Sequence, residues 1–229
     1  LSAKQRRKKK RRRPGASGEL PGDVIILPDL TYEITDEPIR DGSTKEPPDE
    51  ICDILEELHE KIQDRPGEAL PDLLKLKKRY GNVPVIFNCL FHAYVGTGDM
   101  ESAEAVNREC LARFPEYLFG RVNYAMICLR KGEYAKVPGI FEHKFDLKEL
   151  YPRRSVFHIS EFTYFTGAIA MYLVATGEVE MARKCYRDIR KIAPGYPMTR
   201  ELKKVLYPGV LGWILEKLDA RERASGRGM

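Results

Sequence analysis

His158 and Glu161 lie three residues apart on a stretch that reads as helical, a spacing that metal sites also use to set an imidazole and a carboxylate on one face. Two donors do not make a site, and the same pair serves equally at a helix start or on a surface. His59, His92 and His143 are scattered in the same way. Cys52, Cys89, Cys110, Cys128 and Cys185 are odd in number and include no Cys-x-x-Cys pair, which argues against a zinc site and against a disulfide scaffold. Each falls in a predicted helix, where a free thiol packs as a small apolar group, and a reducing compartment is expected. The chain contains no glycine-rich phosphate loop, no Gly-x-Ser-x-Gly and no His-Glu-x-x-His. A noncatalytic protein, with no cofactor and no metal, is therefore expected.

A second chemistry sits near the start of the chain. Arg6, Arg7, Lys8, Lys9, Lys10, Arg11, Arg12 and Arg13 can neutralise phosphates of DNA or RNA, weakly and with strong salt dependence. No aromatic residue interleaves with them, so base stacking is not expected. In a eukaryote the run also reads as a nuclear import signal, and in any organism as a solvated linker. The formal charge of +5 is distributed in blocks: +9 over residues 1–13, −2 over 14–28, −10 over 29–60 and +8 over 61–229. An acidic block between two basic ones can fold back on either, so the arm need not seek an external partner.

The elements that must position these groups are mostly helical. Over its 229 residues the chain is 43% hydrophobic and 32% charged, enough to bury a core in one large domain or two small ones. The longest apolar stretches, such as residues 24–27, fall far short of the ~20 residues of a membrane span. The basic run leads into Pro14 and Gly15 without the apolar middle of a secretory signal, so a cytoplasmic location is expected, or a nuclear one in a eukaryote. Residues 1–18 read as a disordered arm. Residues 24–27 and 30–34 read as short strand-like pieces with no sheet to join, lying along the surface of the helical body. Residues 1–48 thus form an arm and acidic linker, residues 49–223 a helical domain and residues 224–229 a flexible tail.

Within the helical domain one register recurs. Phe87, Leu90, Phe91, Tyr94, Gly98, Ala103 and Pro115 are matched by Thr166, Ile169, Ala170, Leu173, Gly177, Ala182 and Pro194. Large residues line the inner face of a first helix, glycine makes the turn, a small residue sits where the second helix crosses, and proline ends it. Residues 118–149 form a weaker copy with Arg121, Tyr124, Ala125, Cys128, Gly132, Val137 and Phe141, in which Pro138 interrupts the second helix. Gly98 and Gly132 are 34 residues apart, whereas Gly132 and Gly177 are 45 apart, so about 11 residues are inserted within 144–162. Ile51, Ile54, Leu55, Leu58 and Ile62 begin a degenerate first pair, with Leu70 at the small-residue position. Two closing helices, over residues 199–206 and from Val210 to about Arg223, supply a cap.

This register resembles the tetratricopeptide repeat over roughly residues 50–220. The resemblance implies an all-α, right-handed solenoid of about four helix pairs plus capping helices, acting as an adaptor or scaffold for a protein or peptide of unknown identity. It also implies that the first helix of each pair lines the ligand groove. The groove stripe then holds Val85, Asn88, His92 and Val95; Phe119, Val122, Met126 and Leu129; Tyr164, Gly167, Met171 and Val174. Asn88, His92, Phe119, Val122, Met126, Leu129, Tyr164 and Met171 are the expected partner-binding residues, a largely apolar set suited to an amphipathic helix or extended peptide. The family's best-known grip clamps a chaperone's C-terminal carboxylate with Lys, Asn and Arg. Asn88 is the nearest match here, while His92, Met126 and Met171 depart from it. Two alternatives stand beside the groove: the chain fills it itself, through tighter packing or with residues 24–34, or the basic arm carries a nucleic-acid function.

Overall fold

The computed structural model describes residues 31–39, 47–209, 212, 214 and 216–218. The basic arm with Arg6 to Arg13, the run 24–27, the tail 224–229 and most of the second closing helix lie outside the described residues.

The body is helical, and consecutive helices pack on one another. Helix α1 (Asp49–Asp64) pairs with α2 (Pro66–Arg79), and α3 (Pro84–Thr97) with α4 (Met100–Arg113). Helix α5 (Leu118–Arg130) leads to a 3-10 turn at Tyr134–Lys136 and the one-turn helices α6 (Val137–Ile140) and α7 (Leu147–Leu150). Helix α8 (Ile159–Ala175) then pairs with α9 (Val179–Ile192), and α10 (Pro197–Leu206) packs on both. Pro66, Pro84 and Pro197 open their helices, where a missing N–H costs nothing.

The three repeat glycines make one turn three times. Gly98, Gly132 and Gly177 have φ of +81°, +73° and +90°. In each case the glycine N–H and the next N–H reach back to carbonyls of the preceding helix: Gly98 to Val95 and Asp99 to Tyr94, Gly132 to Leu129 and Glu133 to Cys128, Gly177 to Val174 and Glu178 to Leu173. Ala103 and Ala182 are wholly buried, as close helix crossing requires. In the first pair the small residue is Ala69, also wholly buried, and the half-buried Leu70 is one position off. Ala69 lies 34 residues before Ala103, so the strict period identifies it.

The third unit departs further. Its second helix is broken, because Pro138 has no N–H to return to the Tyr134 carbonyl: a 3-10 turn at Tyr134–Lys136 is followed by only the one turn of α6, and the chain then reverses through Glu142 and His143 at φ +55° and +58°. The insertion fills the vacated space with a strand. Strand β2 (Val156–His158) pairs in parallel with β1 (Glu33–Thr35), in the register Glu33 to Val156, Ile34 to Phe157 and Thr35 to His158. The expected surface piece is therefore interior. Ile34 and Phe157 are fully buried, and Tyr32 meets Phe157 edge-on at 5.0 Å.

Among the described residues the buried apolar side chains form two cores. The first joins α1 to α4 through Leu55, Leu73, Phe87, Leu90 and Val106. The second runs from Tyr32 and Ile34 through Phe141, Phe157 and Phe165 to Leu202 and Tyr207. Helix α5 is the seam: Tyr117 and Ile127 belong to the first core, Val122, Ala125 and Cys128 to the second. Among the described residues no helix is long and apolar enough to cross a membrane.

Candidate functional site

A cleft of about 620 Å³ opens where the first helices meet. Helix α1 contributes His59 and Gln63, and α3 contributes Val85, Asn88, Cys89 and His92. Phe119, Val122 and Asn123 come from the first turns of α5, with Tyr117 just before it. His158, Ser160 and Tyr164 stand at the start of α8, and the Gly195–Pro197 turn closes the end. The lining thus draws on the first turns of α5 and α8, on Val85 to His92 of α3 and on the C-terminal half of α1.

The lining is polar without formal charge. Asn123 Nδ2 donates to Asn88 Oδ1 at 2.9 Å, joining α3 to α5 and leaving one amide N–H₂ and one amide oxygen for other partners. His92 is exposed to solvent, but the surrounding walls, and after them His59, push its pKa below the usual imidazole value. Open water at the ring tempers that push. Burial, followed by Tyr196, pushes the Tyr164 hydroxyl pKa up, with Arg200 opposing. Both groups therefore stay neutral at pH 7. Phe119 packs edge-on to Tyr164 at 6.3 Å and against Tyr117 at 5.7 Å.

Of the expected groove residues, Asn88, His92, Phe119, Val122 and Tyr164 converge here. Val122 is only 3% exposed and belongs chiefly to the second core. Met126, Leu129 and Met171 do not line the cleft; they are half-buried against the second core. Gly167 is covered as well, since a Cβ there would stand 2.2 Å from Met198 Cγ of α10. None of residues 31–39 lines the cleft, so the described part of the strand segment does not fill it.

His158 and Glu161 form a helix cap. The Ser160 N–H donates to His158 Nδ1 at 3.2 Å, and Glu161 Oε2 accepts from the His158 N–H at 2.9 Å. That tautomer leaves Nε2–H to donate to the Asp36 carbonyl at 3.2 Å, tying β1 to the start of α8. Glu161 is held in addition by Arg154, bidentate at 2.8 and 2.7 Å, whose guanidinium lies 4.4 Å from the centre of Phe157. Among the described residues no three or more His, Cys, Asp or Glu side chains are grouped to hold a metal ion.

Asn123, Tyr117 and Tyr196 are cleft residues that the sequence reading did not single out, and His59, noted there only as a scattered histidine, was not assigned to the groove. Asn123 carried a signal, since it follows Asn88 by 35 residues, close to the repeat period. The others lie outside the regular first-helix stripe. Compared with protein-family models and with curated proteins, the chain matches none.

Proposed function

We propose that this chain is a noncatalytic adaptor of tetratricopeptide type, a right-handed solenoid whose first helices hold an extended, uncharged segment of a protein partner. The cleft carries the reading. It draws on α1, α3, α5 and α8, and it sets amide, imidazole and hydroxyl groups beside Val85 and Phe119 with no Asp, Glu, Lys or Arg in its lining. A peptide backbone needs donors and acceptors at short intervals, and the Asn88–Asn123 pair offers one of each. A charged segment would shed its hydration there without a counter-charge. The lack of a recognisable catalytic motif supports a holding role over a chemical one.

Affinity capture from nuclease-treated lysate tests the reading, with bound proteins identified by mass spectrometry. His92→Asp puts a charge on an exposed cleft position and gives up only the ring's edge contact with Phe91 at 5.3 Å, and Phe119→Ala removes an aromatic wall. Each is expected to weaken retention of a specific protein roughly tenfold or more, with helical circular dichroism unchanged for His92→Asp. Retention indifferent to both changes would remove the cleft as the binding site. The truncation for comparison is removal of residues 1–30, because a cut at Asp49 would also take Tyr32 and Ile34 out of the second core.

A further inference from the structure

A second cavity, of about 320 Å³, shares Tyr117 and Phe119 with the cleft and lies between the start of α5 and the inserted loop. Its walls are Leu118, Phe119, Leu150 and Tyr151, and its size is at the small end for ligand sites. The charges around it are unequally satisfied. Glu116 pairs with Arg121 at 2.9 Å and Glu161 with Arg154 at 2.7 Å. Arg153 is exposed on the same lining and has no ion pair or hydrogen bond among the described residues.

Two further donors face no acceptor. Tyr117 is only 8% exposed, yet its hydroxyl makes no hydrogen bond among the described residues. Burial above all, with Cys110, Cys89 and Glu161 adding to it, holds this hydroxyl's pKa well above the usual value, so it stays a donor. Helix α5, 13 residues long, begins at this cavity with no side-chain cap, which leaves first-turn N–H groups open. The cavity thus combines an apolar body with a guanidinium, an unpartnered tyrosine hydroxyl and helix N–H groups, and its carboxylates are already paired.

We propose that this cavity binds a small apolar carboxylate, with an aromatic or branched body against Phe119, Leu150 and Tyr151 and the carboxylate held by Arg153, Tyr117 and the first turn of α5. The site shares Tyr117 and Phe119 with the cleft, and Leu150, Tyr151 and Arg153, which do not line the cleft, set it apart.

Titration of the full chain followed by amide NMR tests it, using 3-phenylpropanoate, its neutral amide 3-phenylpropanamide, and the tripeptide Ala-Ala-Phe with a free C-terminus. The acid is expected to shift the amide signals of Leu118, Phe119, Gly120, Tyr151 and Arg153, leave those of Asn88 and His92 in place, and bind about tenfold more tightly than the amide. Arg153→Gln, a change at an exposed position, should lower the acid's affinity to that of the amide. Binding of the tripeptide with the same shifts would support a peptide C-terminus as the source, and binding of the acid alone a free small molecule. Equal affinity of acid and amide, or shifts confined to the cleft, would overturn the proposal. His92→Asp should leave this binding intact, so the two sites fail separately.

Discussion

Phe87 and Phe157 are both wholly buried, one in each core, but the chain surrounds them by different means. Phe87 is enclosed by neighbours in sequence: Phe114 at 5.8 Å and the cations of Lys77 and Arg113 over its ring, all from adjoining helices. Phe157 is enclosed by a strand from far upstream, as the Asp36 to His158 contact spans 122 positions. Irregular backbone around it needs partners that helices would have supplied internally. Arg121 Nε donates to the Pro115 carbonyl at 2.7 Å, the Tyr151 hydroxyl to Glu116 O at 2.8 Å, and Lys148 Nζ to Arg154 O at 2.8 Å. A repeat that gives up its second helix thus recruits a distant strand and a set of long polar side chains to close the gap.

The sharpest way to separate the two cores is the same deletion in each. Phe87→Ala and Phe157→Ala should each cost about 3–5 kcal/mol, read as a fall in denaturation midpoint. Hydrogen exchange should then tell them apart. Phe157→Ala is expected to expose the Glu33 amide, which donates to Ser155 O at 2.9 Å, while amides in the middle of α3 stay protected. Phe87→Ala should do the reverse. Uniform loss of protection in both variants would show that α5 couples the cores into one cooperative unit.

The ion pairs give a smaller contrast. Arg154 and Glu161 have side chains only 11% and 12% exposed, so Arg154→Met leaves a buried carboxylate and should cost about 3 kcal/mol or more. Adding Glu161→Gln removes that charge and keeps an oxygen for the His158 N–H, so the double variant should recover most of the loss. In the first core Lys77 bridges to Glu109 with side chains 25% and 36% exposed, and Lys77→Met should cost about 1 kcal/mol or less. Denaturant titration of the three variants decides whether the second core rests on its charges more than the first.

Much of the first core was legible because its packing repeats. Large residues at Phe87, Leu90 and Tyr94, a glycine turn and a small residue at the crossing are each required by local geometry, and the 34-residue step carries them forward. The cap role of His158 and Glu161 was legible for the same reason, since a cap is a local event. The pairing of β1 with β2 was not. Three-residue strands are too short to show a period, and nothing local links Ile34 to Phe157. Pro138 signalled a broken helix without saying what would replace it. The groove was half legible on the same account. Asn88, Phe119 and Tyr164 sit on early turns that reach the cleft and His92 one turn further along α3, whereas Met126, Leu129 and Met171 sit on α5 and α8, which pack on each other, and are half-buried against the second core.

The smallest contrast lies in the turns. Gly98, Gly132 and Gly177 occupy the left-handed region, and an added Cβ at any of them would meet nothing within 4 Å, so alanine there is penalised by backbone conformation alone. Each substitution should cost about 1 kcal/mol, and the cost at Gly132 should equal that at Gly98 although one turn leads into a one-turn helix and the other into a full one. His143 presents the opposite case. It is exposed, holds φ +58° without being glycine, and its N–H donates to the Pro138 carbonyl at 2.7 Å, a bond that any residue can make. His143→Gly relieves about 1–2 kcal/mol of left-handed strain and gives back about 0.4–1 kcal/mol through the freer unfolded chain, so a net gain of about 0.5 kcal/mol is expected. Destabilisation by His143→Gly would mean that the imidazole itself holds the reversal after α6 and that the irregular unit depends on that side chain as well as on Arg121.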